Sequence, residues 1–520
     1  MTDDYSARLD RAVARLAGAY PGPGGACAVL KDGETLVRHT WGYANSERRI
    51  PFTPKSLFRI CSITKQFTCA SVLAAFADPT VLDDAIRARL PRLEGAAPGA
   101  LALAHNQSGL RDYWAVAMLH GSPVEAPFGD TEAARVIAGS RSLQFAPRTR
   151  YSYCNQNFRI LGDALAERTG RSLAEHLRAS VFGPAGMESA LLAADTRALP
   201  DGTEGYEGSQ ATGFRAAENR IVWTGDAGMA ASLDDMIAYE RWIDATREDP
   251  GALYSRLSAP VTFGDGVEAT YGFGLGRSVD FNRRVTGHGG ALRGWRSHRL
   301  YVPADRISVV VLFNHLSDAR AAEMELLAAV LGETTASHGS DRPAPEWLGA
   351  WVDPETQLSV RLDTAEPGRV RLRFGHWPEV LDLQADGSAA APAGTRIVPE
   401  GEVLRMERPA ENQLTRLRRC GEGQPTDVAG VFRCEELEAE LTVTDAGGAL
   451  YGGFSGFLGQ GRMELLEPIA RDVWALPCWR ALDHTPPGDW TVVFERDDQG
   501  RVKRAVIGCW LARGLVYEGV

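Results

Sequence analysis

Residues 56–68 read Ser56-Leu57-Phe58-Arg59-Ile60-Cys61-Ser62-Ile63-Thr64-Lys65-Gln66-Phe67-Thr68. Ile63, Phe67, Ala70 and Ala74 recur at helical spacing, which predicts a helix beginning near Ser62 and stopping before Pro79. Ser62 and Lys65 then stand at i and i+3 on one face. A serine hydroxyl is a weak nucleophile until a base takes its proton. A lysine amine can be that base where burial or nearby positive charge lowers its pKa. The N-terminus of the helix adds backbone N–H groups and positive potential for developing negative charge. Taken alone the pair is weak, because a capping serine beside a solvated lysine gives the same letters.

Further along stands Tyr151-Ser152-Tyr153-Cys154-Asn155-Gln156-Asn157, followed by a predicted helix over 158–169 that Gly170 ends. In an extended turn Tyr153 and Asn155 point to the same side. A phenol beside a lysine can share its proton, and an amide can hold the lysine while also donating to a carbonyl. A third stretch, Gly287-His288-Gly289-Gly290-Ala291, lies among late strands. Its glycines permit close backbone approach by a ligand. A strand edge here supplies an oxyanion-hole N–H from Ala291, partnered with the N–H of Ser62.

In order and context the three stretches resemble the penicillin-recognising serine hydrolases, which include class C β-lactamases, D,D-carboxypeptidases and related esterases and D-peptidases. Their signature is S-x-x-K, then Y-x-N, then K-T-G or H-x-G. The flanks agree. His105-Asn106-Gln107-Ser108-Gly109-Leu110 is similar to the family's H-x-S-G-L loop with one extra residue. Gly228-Met229-Ala230-Ala231-Ser232-Leu233 and Tyr271-Gly272-Phe273-Gly274-Leu275-Gly276 resemble its later segments. The resemblance spans about residues 5–332. It implies an α/β serine β-lactamase-like domain, an antiparallel sheet flanked by helices with a helical subdomain. It also implies acylation of Ser62, general-base work shared by Lys65 and Tyr153, orientation by Asn155, and a substrate strand holding His288, Gly289 and Gly290. No cofactor is implied.

The bulk composition sets the surroundings. At 520 residues the chain exceeds one core. A net charge of -11 argues against non-specific binding to nucleic acid or anionic lipid. No apolar run approaches a membrane span and no leader pattern opens the chain, so a cytoplasmic protein is expected. The eight cysteines form no C-x-x-C pair and are expected as thiols, and no metal-ligand spacing appears. Gly272 to Gly276 lacks the Lys-Ser/Thr of a phosphate loop and reads as a strand. Cys61 and Cys69 flank the nucleophile, so bulky thiol reagents are expected to lower activity.

Within 1–332 a helix over 5–19 precedes a β-hairpin over 26–41 turning at Asp32-Gly33. Late strands fall at 271–276, 298–302 and 306–313. A helix over 318–331 follows, with Met324, Leu327, Ala328 and Leu331 on one face. Strands at both ends predict one sheet assembled from both termini of the segment. Residues 333–345 are polar and Pro-containing, a linker. Beyond it the alternation is that of short strands. Gly349-Ala350-Trp351-Val352 and Gly430-Val431-Phe432-Arg433 open two similar units, which predicts two small antiparallel β-barrels over 346–420 and 421–520.

The departures from the signature narrow the chemistry. His288 replaces the lysine that holds a substrate carboxylate in lactamases and carboxypeptidases, and an imidazole is mostly neutral near pH 7. Two β-domains after the hydrolase are absent from ordinary β-lactamases. Length and architecture are similar to the D-stereospecific aminopeptidase branch of the superfamily. That likeness implies removal of a free N-terminal D-residue, such as D-alanine, from peptides, amides and esters. β-Lactams are then expected as weak inhibitors, and a homodimer is compatible. Asp483, in a Pro/Gly-rich loop spanning 480–488, is the candidate partner for the substrate ammonium. The rival readings are another hydrolase of the family (an esterase, β-lactamase or D,D-carboxypeptidase) and a non-catalytic scaffold.

Overall fold

The computed structural model describes residues 4–334, 343–375, 378–423, 427–482 and 488–520. An eight-stranded antiparallel sheet organises the first of these segments. Its centre joins the two ends of the segment: Gly24–Lys31 pairs with Ile307–Phe313, from Gly25 opposite Phe313 to Lys31 opposite Ile307. Glu34–Asn45 flanks one side, while Trp295–Val302, Arg283–Leu292 and Leu275–Asp280 follow in order on the other. The first hairpin turns at Asp32 and Gly33, both with φ above zero (53° and 80°), the conformation that matches the strands' right-handed twist.

Both faces of the sheet are covered, which is why Ile307–Phe313 is apolar almost throughout. Val309, Val311 and Phe313 pack with Leu9, Leu16, Leu326 and Leu327 beneath the helices Asp4–Ala19 and Ala319–Leu331. Val310 and Leu312 face the other way, into the larger core around Ile60, Phe67 and Phe158. The face of Ala319–Leu331 differs from expectation: Ala322, Leu326 and Val330 join Leu327 and Ala328 in burial, while Met324 and Leu331 are only partly covered. Contact with both the sheet and the N-terminal helix rotates the buried stripe.

The strand expected over 271–276 is interrupted. Tyr271–Gly272 and Leu275–Asp280 are joined by Phe273 and Gly274, both at positive φ (51° and 74°). A Cβ on Gly274 would lie 2.5 Å from the backbone of Lys65 and Gln66, so this turn presses on the helix Thr64–Ala75.

After the polar segment, of which residues 335–342 lie outside the described residues, eight strands from Gly349–Val352 to Gln413–Arg419 close into a barrel. Val360, Leu362, Val370, Leu372 and Ile397 fill it. The last part is a ten-stranded antiparallel sheet. Its opening strand Gly430–Cys434 pairs with both the next strand and the final one, as Gly349–Val352 does in the barrel. Here Glu464–Leu465 pairs with Leu450–Gly456 and runs on into Glu467–Ala470, which pairs with Val473–Leu476, so this segment bridges the two sides of the sheet into a half-barrel. Ala115 and Leu119, from the hydrolase helix Tyr113–Leu119, enter its core beside Phe432, Phe454 and Tyr517. This helix ties the hydrolase to the core of the final sheet.

Candidate active site

Ser62 lies in the 3-10 turn Cys61–Ile63, which runs into the helix Thr64–Ala75. Cys61 holds φ at +51°, a region that side-chain-bearing residues rarely adopt. Its neighbours hold the turn in place. The Ile60 N–H donates to Met229 O at 3.2 Å, and the Ser297 hydroxyl donates to Ile60 O at 3.0 Å.

Lys65 is fully buried at the foot of this turn. Its Nζ lies 3.0 Å from Ser62 Oγ, 2.9 Å from Asn155 Oδ1 and 2.8 Å from the Asp226 carbonyl oxygen. The last two atoms only accept hydrogen bonds. They therefore engage two N–H groups of the amine and leave the third position directed at the serine. In a neutral amine that position is a lone pair facing the hydroxyl proton.

Asn155 is set by a residue the sequence reading did not single out. Asp112 Oδ2 accepts from the Asn155 backbone N–H at 2.6 Å and from its Nδ2 at 2.9 Å, so Oδ1 must face Lys65. Asp112 Oδ1 caps the helix Tyr113–Leu119 through the Trp114 N–H at 3.0 Å. Burial pushes the Asp112 carboxyl up to about 6, against the pull of the hydrogen bonds from Asn155 and the helix N-terminus. An aspartate directly before the apolar run Tyr113-Trp114-Ala115-Val116 was the available signal, and it pointed to a cap only.

Tyr153 and Asn155 both line the cleft that holds Ser62, with Asn155 already in helical conformation at the start of the helix Gln156–Thr169. The Tyr153 ring lies 5.0 Å from Lys65 Nζ, and its hydroxyl bonds with Ser62. Burial raises the Tyr153 phenol well above its ordinary value, with the Ser62 hydrogen bond opposing. The phenol therefore keeps its proton near neutral pH.

The strand Arg283–Leu292 borders the other side of the site. Its pairing with Leu275–Asp280 ends at Gly287 opposite Gly276. His288 to Leu292 continue beyond as an edge packed on the turn Cys61–Ile63. A Cβ on Gly290 would lie 2.2 Å from Ser297 Oγ and 2.3 Å from Ile60 O, so only glycine allows this approach. Gly289, Gly290 and Ala291 line a cleft of about 650 Å³ together with Ser62, Tyr153 and Asn155. His288 has a defined tautomer. Its Nδ1 must donate to the Gly289 carbonyl at 2.5 Å, so Nε2 accepts from the Tyr271 hydroxyl at 3.0 Å. Burial, then the charge of Lys65, holds the imidazole pKa down at about 3. A neutral ring here gives no charge with which to hold a carboxylate.

The last sheet closes the cleft. Ala481, Trp510 and Leu511 line it. Arg293, fully buried in the hydrolase, donates to Ala481 O at 2.5 Å, and Leu482 enters the main core. Arg480 pairs with Glu125 at 2.6 Å and Glu207 at 3.1 Å. The loop that carries the ammonium assignment therefore begins against the hydrolase, while Asp483 lies outside the described residues. Among the described residues no cluster of metal-ligating side chains occurs, no helix is long and apolar enough to cross a membrane, and the eight cysteines form no disulfide.

Residues 9–333 match the β-lactamase family, and residues 340–518 match D-aminopeptidase, domain B. The D-aminopeptidase of Gluconobacter oxydans is 59% identical over 529 residues, covering 100% of both chains. The D-aminopeptidase of Brucella canis is 45% identical over 499 residues, covering 96% of each. Among solved structures, the octameric penicillin-binding protein homologue from Pyrococcus abyssi superposes with a TM-score of 0.52 at 19% identity. That superposition covers 79% of this chain and 99% of the other, a likeness of fold.

Proposed function

The chain belongs to the D-aminopeptidase family, on the β-lactamase fold, and we propose that it removes N-terminal D-residues through an acyl-enzyme on Ser62. The observation that carries this mechanism is the Lys65 amine, held 3.0 Å from Ser62 Oγ by two groups that can only accept hydrogen bonds.

In this mechanism Lys65 takes the Ser62 proton as Oγ attacks the carbonyl carbon of the D-residue. The oxyanion forms against the N–H groups of Ser62 and Ala291. Tyr153, protonated, gives its proton to the departing amine as the C–N bond breaks, and Lys65 restores it. Water then attacks the ester, with the same pair moving its proton. Asn155 keeps the amine aligned through both halves. His288, neutral and locked by Tyr271, shapes the strand that the substrate lies along, beside Gly289 and Gly290.

Residues 1–332 form the catalytic unit in this reading, 333–345 a linker, and 346–420 and 421–520 the two β units. The substrates are small peptides, amides and esters with a free N-terminal D-residue of the D-alanine type. Asp483 meets the ammonium, a role supported by the anchoring of Ala481 and Leu482 just before it. β-Lactams inhibit weakly because no cation at position 288 holds their carboxylate. The protein acts in the cytoplasm, and a homodimer is compatible with this chemistry.

One comparison tests the reading: D-Ala-p-nitroanilide, L-Ala-p-nitroanilide, nitrocefin and a short-chain ester, each with Ser62→Ala as control. The D-anilide is expected to be cleaved in preference to its L-isomer. Ser62→Ala is expected to lose about 10⁴-fold or more in kcat. Turnover of nitrocefin or ester alone would move the protein to another branch of the family, and inactivity on all four would favour a scaffold.

A further inference from the structure

Trp510 stands at the tip between the strands Val502–Cys509 and Ala512–Gly519, far in sequence from every residue of the mechanism. It lines the same cleft as Ser62. Two further contacts come from the closed barrel. The indole N–H donates to Glu411 Oε1 at 2.9 Å. The ring lies on Gly375, where a Cβ would come within 2.9 Å of the indole Cγ. These are two independent contacts from one domain, a hydrogen bond at the ring edge and a glycine against the stem end of the side chain.

Glu411 is itself fixed. It accepts from Arg408 Nε at 2.9 Å and from Arg513 Nη2 at 3.1 Å, and its backbone carbonyl accepts from the Tyr151 N–H at 3.1 Å. Burial alone would raise its carboxyl, but Arg408 and Arg513 outweigh that and hold it at about 2, ionised at every working pH. One buried residue, through its carboxylate and its backbone carbonyl, therefore joins the barrel, the final sheet and the segment that leads into Tyr153. On the other side of the tip, Leu511 O accepts the Asp112 N–H at 3.0 Å, so the tip also rests on the residue that sets Asn155.

We propose that Trp510 is a specificity-determining wall of the substrate cleft, and that the closed barrel serves the reaction by seating this indole through Glu411 and Gly375. The wall limits the bulk of the substrate beside Ser62. An indole held at its N–H edge and at its stem cannot swing aside for a larger group, as an unsupported side chain at a loop tip would. This gives the barrel, which contributes no residue to proton transfer, a place in the reaction. The inference rests on Ser62 acting on D-aminoacyl substrates.

The test compares kcat/KM on D-Ala-p-nitroanilide and D-Phe-p-nitroanilide for the full chain and for Trp510→Ala, Trp510→Phe and Gly375→Ala. Thermal melting establishes that each variant is folded. Trp510→Ala is expected to raise the D-Phe to D-Ala ratio about tenfold or more, the scale at which a pocket discriminates hydrocarbon bulk. Gly375→Ala, made in the barrel, is expected to move the ratio the same way by about threefold as its methyl displaces the ring. Trp510→Phe, smaller and without its tether to Glu411, should fall between wild type and Trp510→Ala. A ratio unchanged in Trp510→Ala, with both substrates slowed equally, would overturn the proposal, because a packing defect slows both alike. If Trp510→Ala does not fold, an unchanged ratio in both Trp510→Phe and Gly375→Ala overturns it instead. A wild-type enzyme inert on both D-anilides refutes the parent reading, and this inference falls with it.

Discussion

Replacing Asp112 by asparagine separates the stability of the site from its alignment. At pH 7 the native state holds an ionised carboxylate whose pKa burial has pushed to about 6. A lift of roughly two units over the exposed value costs the fold about 3 kcal/mol. Asp112→Asn removes that charge, which offsets most of what its lost hydrogen bonds contributed, so the melting temperature should shift by only a few degrees. Activity should behave otherwise. If the new amide keeps its oxygen on the helix N-terminus, its NH₂ confronts the N–H and Nδ2 of Asn155, donor against donor. Two charge-assisted hydrogen bonds at about 1.5 kcal/mol each set the loss of alignment at about 3 kcal/mol, or roughly a hundredfold in kcat. KM should stay within about threefold, since Asp112 acts through Asn155.

The pH dependence carries the same signature. Between pH 4 and 6 the native state keeps a proton that the unfolded chain has released. Unfolding free energy therefore falls as pH rises through that window. Activity rises over the same window, giving an acid limb in kcat/KM near pH 6. Both features should vanish in Asp112→Asn. Steady-state rates on D-Ala-p-nitroanilide from pH 4.5 to 8, with denaturant melts at each end, measure them. A variant with kcat within threefold of wild type, or an acid limb unmoved near pH 6, would refute the reasoning.

Three further outcomes follow from the geometry. His288→Gln should keep the acid limb near pH 6 even if kcat falls, because burial holds the imidazole pKa at about 3; a limb that disappears with the ring would reassign it. Gly290→Ala should lower kcat by about a hundredfold or more, since a methyl 2.3 Å from Ile60 O forces the oxyanion strand off the nucleophile turn; near-normal kcat would show that the turn can yield. Maleimide should label the half-exposed Cys420 and Cys478 first without loss of activity. Inactivation should come slowly, through the buried Cys61 and Cys69, and be absent in Cys61→Ala plus Cys69→Ala; equal sensitivity in that double variant would locate the effect elsewhere.

Much of the architecture is local in origin and was therefore legible. The Asp32-Gly33 turn, the two-sided apolar strand 307–313 and the serine–lysine spacing each depend on neighbours a few residues away. Asp112 was not legible in its role, because a cap and an orienting carboxylate look alike until residue 155 folds against it. Tyr271 was visible as part of a strand motif, but its bond to His288 depends on a turn at Phe273 and Gly274 that interrupts that strand. The join between the final half-barrel and the hydrolase was hidden for a similar reason. Alternation along the strands is what any barrel shows, and the helix that enters this core lies more than three hundred residues earlier. Trp510 and Glu411 meet only in three dimensions.

The shared core between the helix Tyr113–Leu119 and the final sheet has a consequence for the order in which the protein is made. The helix that carries Asp112 at its cap is synthesised early, yet the surface it is meant to cover is delivered only with the last ninety or so residues. Until then Ala115 and Leu119 lack their partners from that sheet, and the carbonyl of Leu511 is not there to meet the Asp112 N–H. A nascent chain thus carries its nucleophile long before it carries a finished cleft. The hydrolase segment excised on its own would lack both the wall formed by Ala481, Trp510 and Leu511 and the Leu511 contact to Asp112.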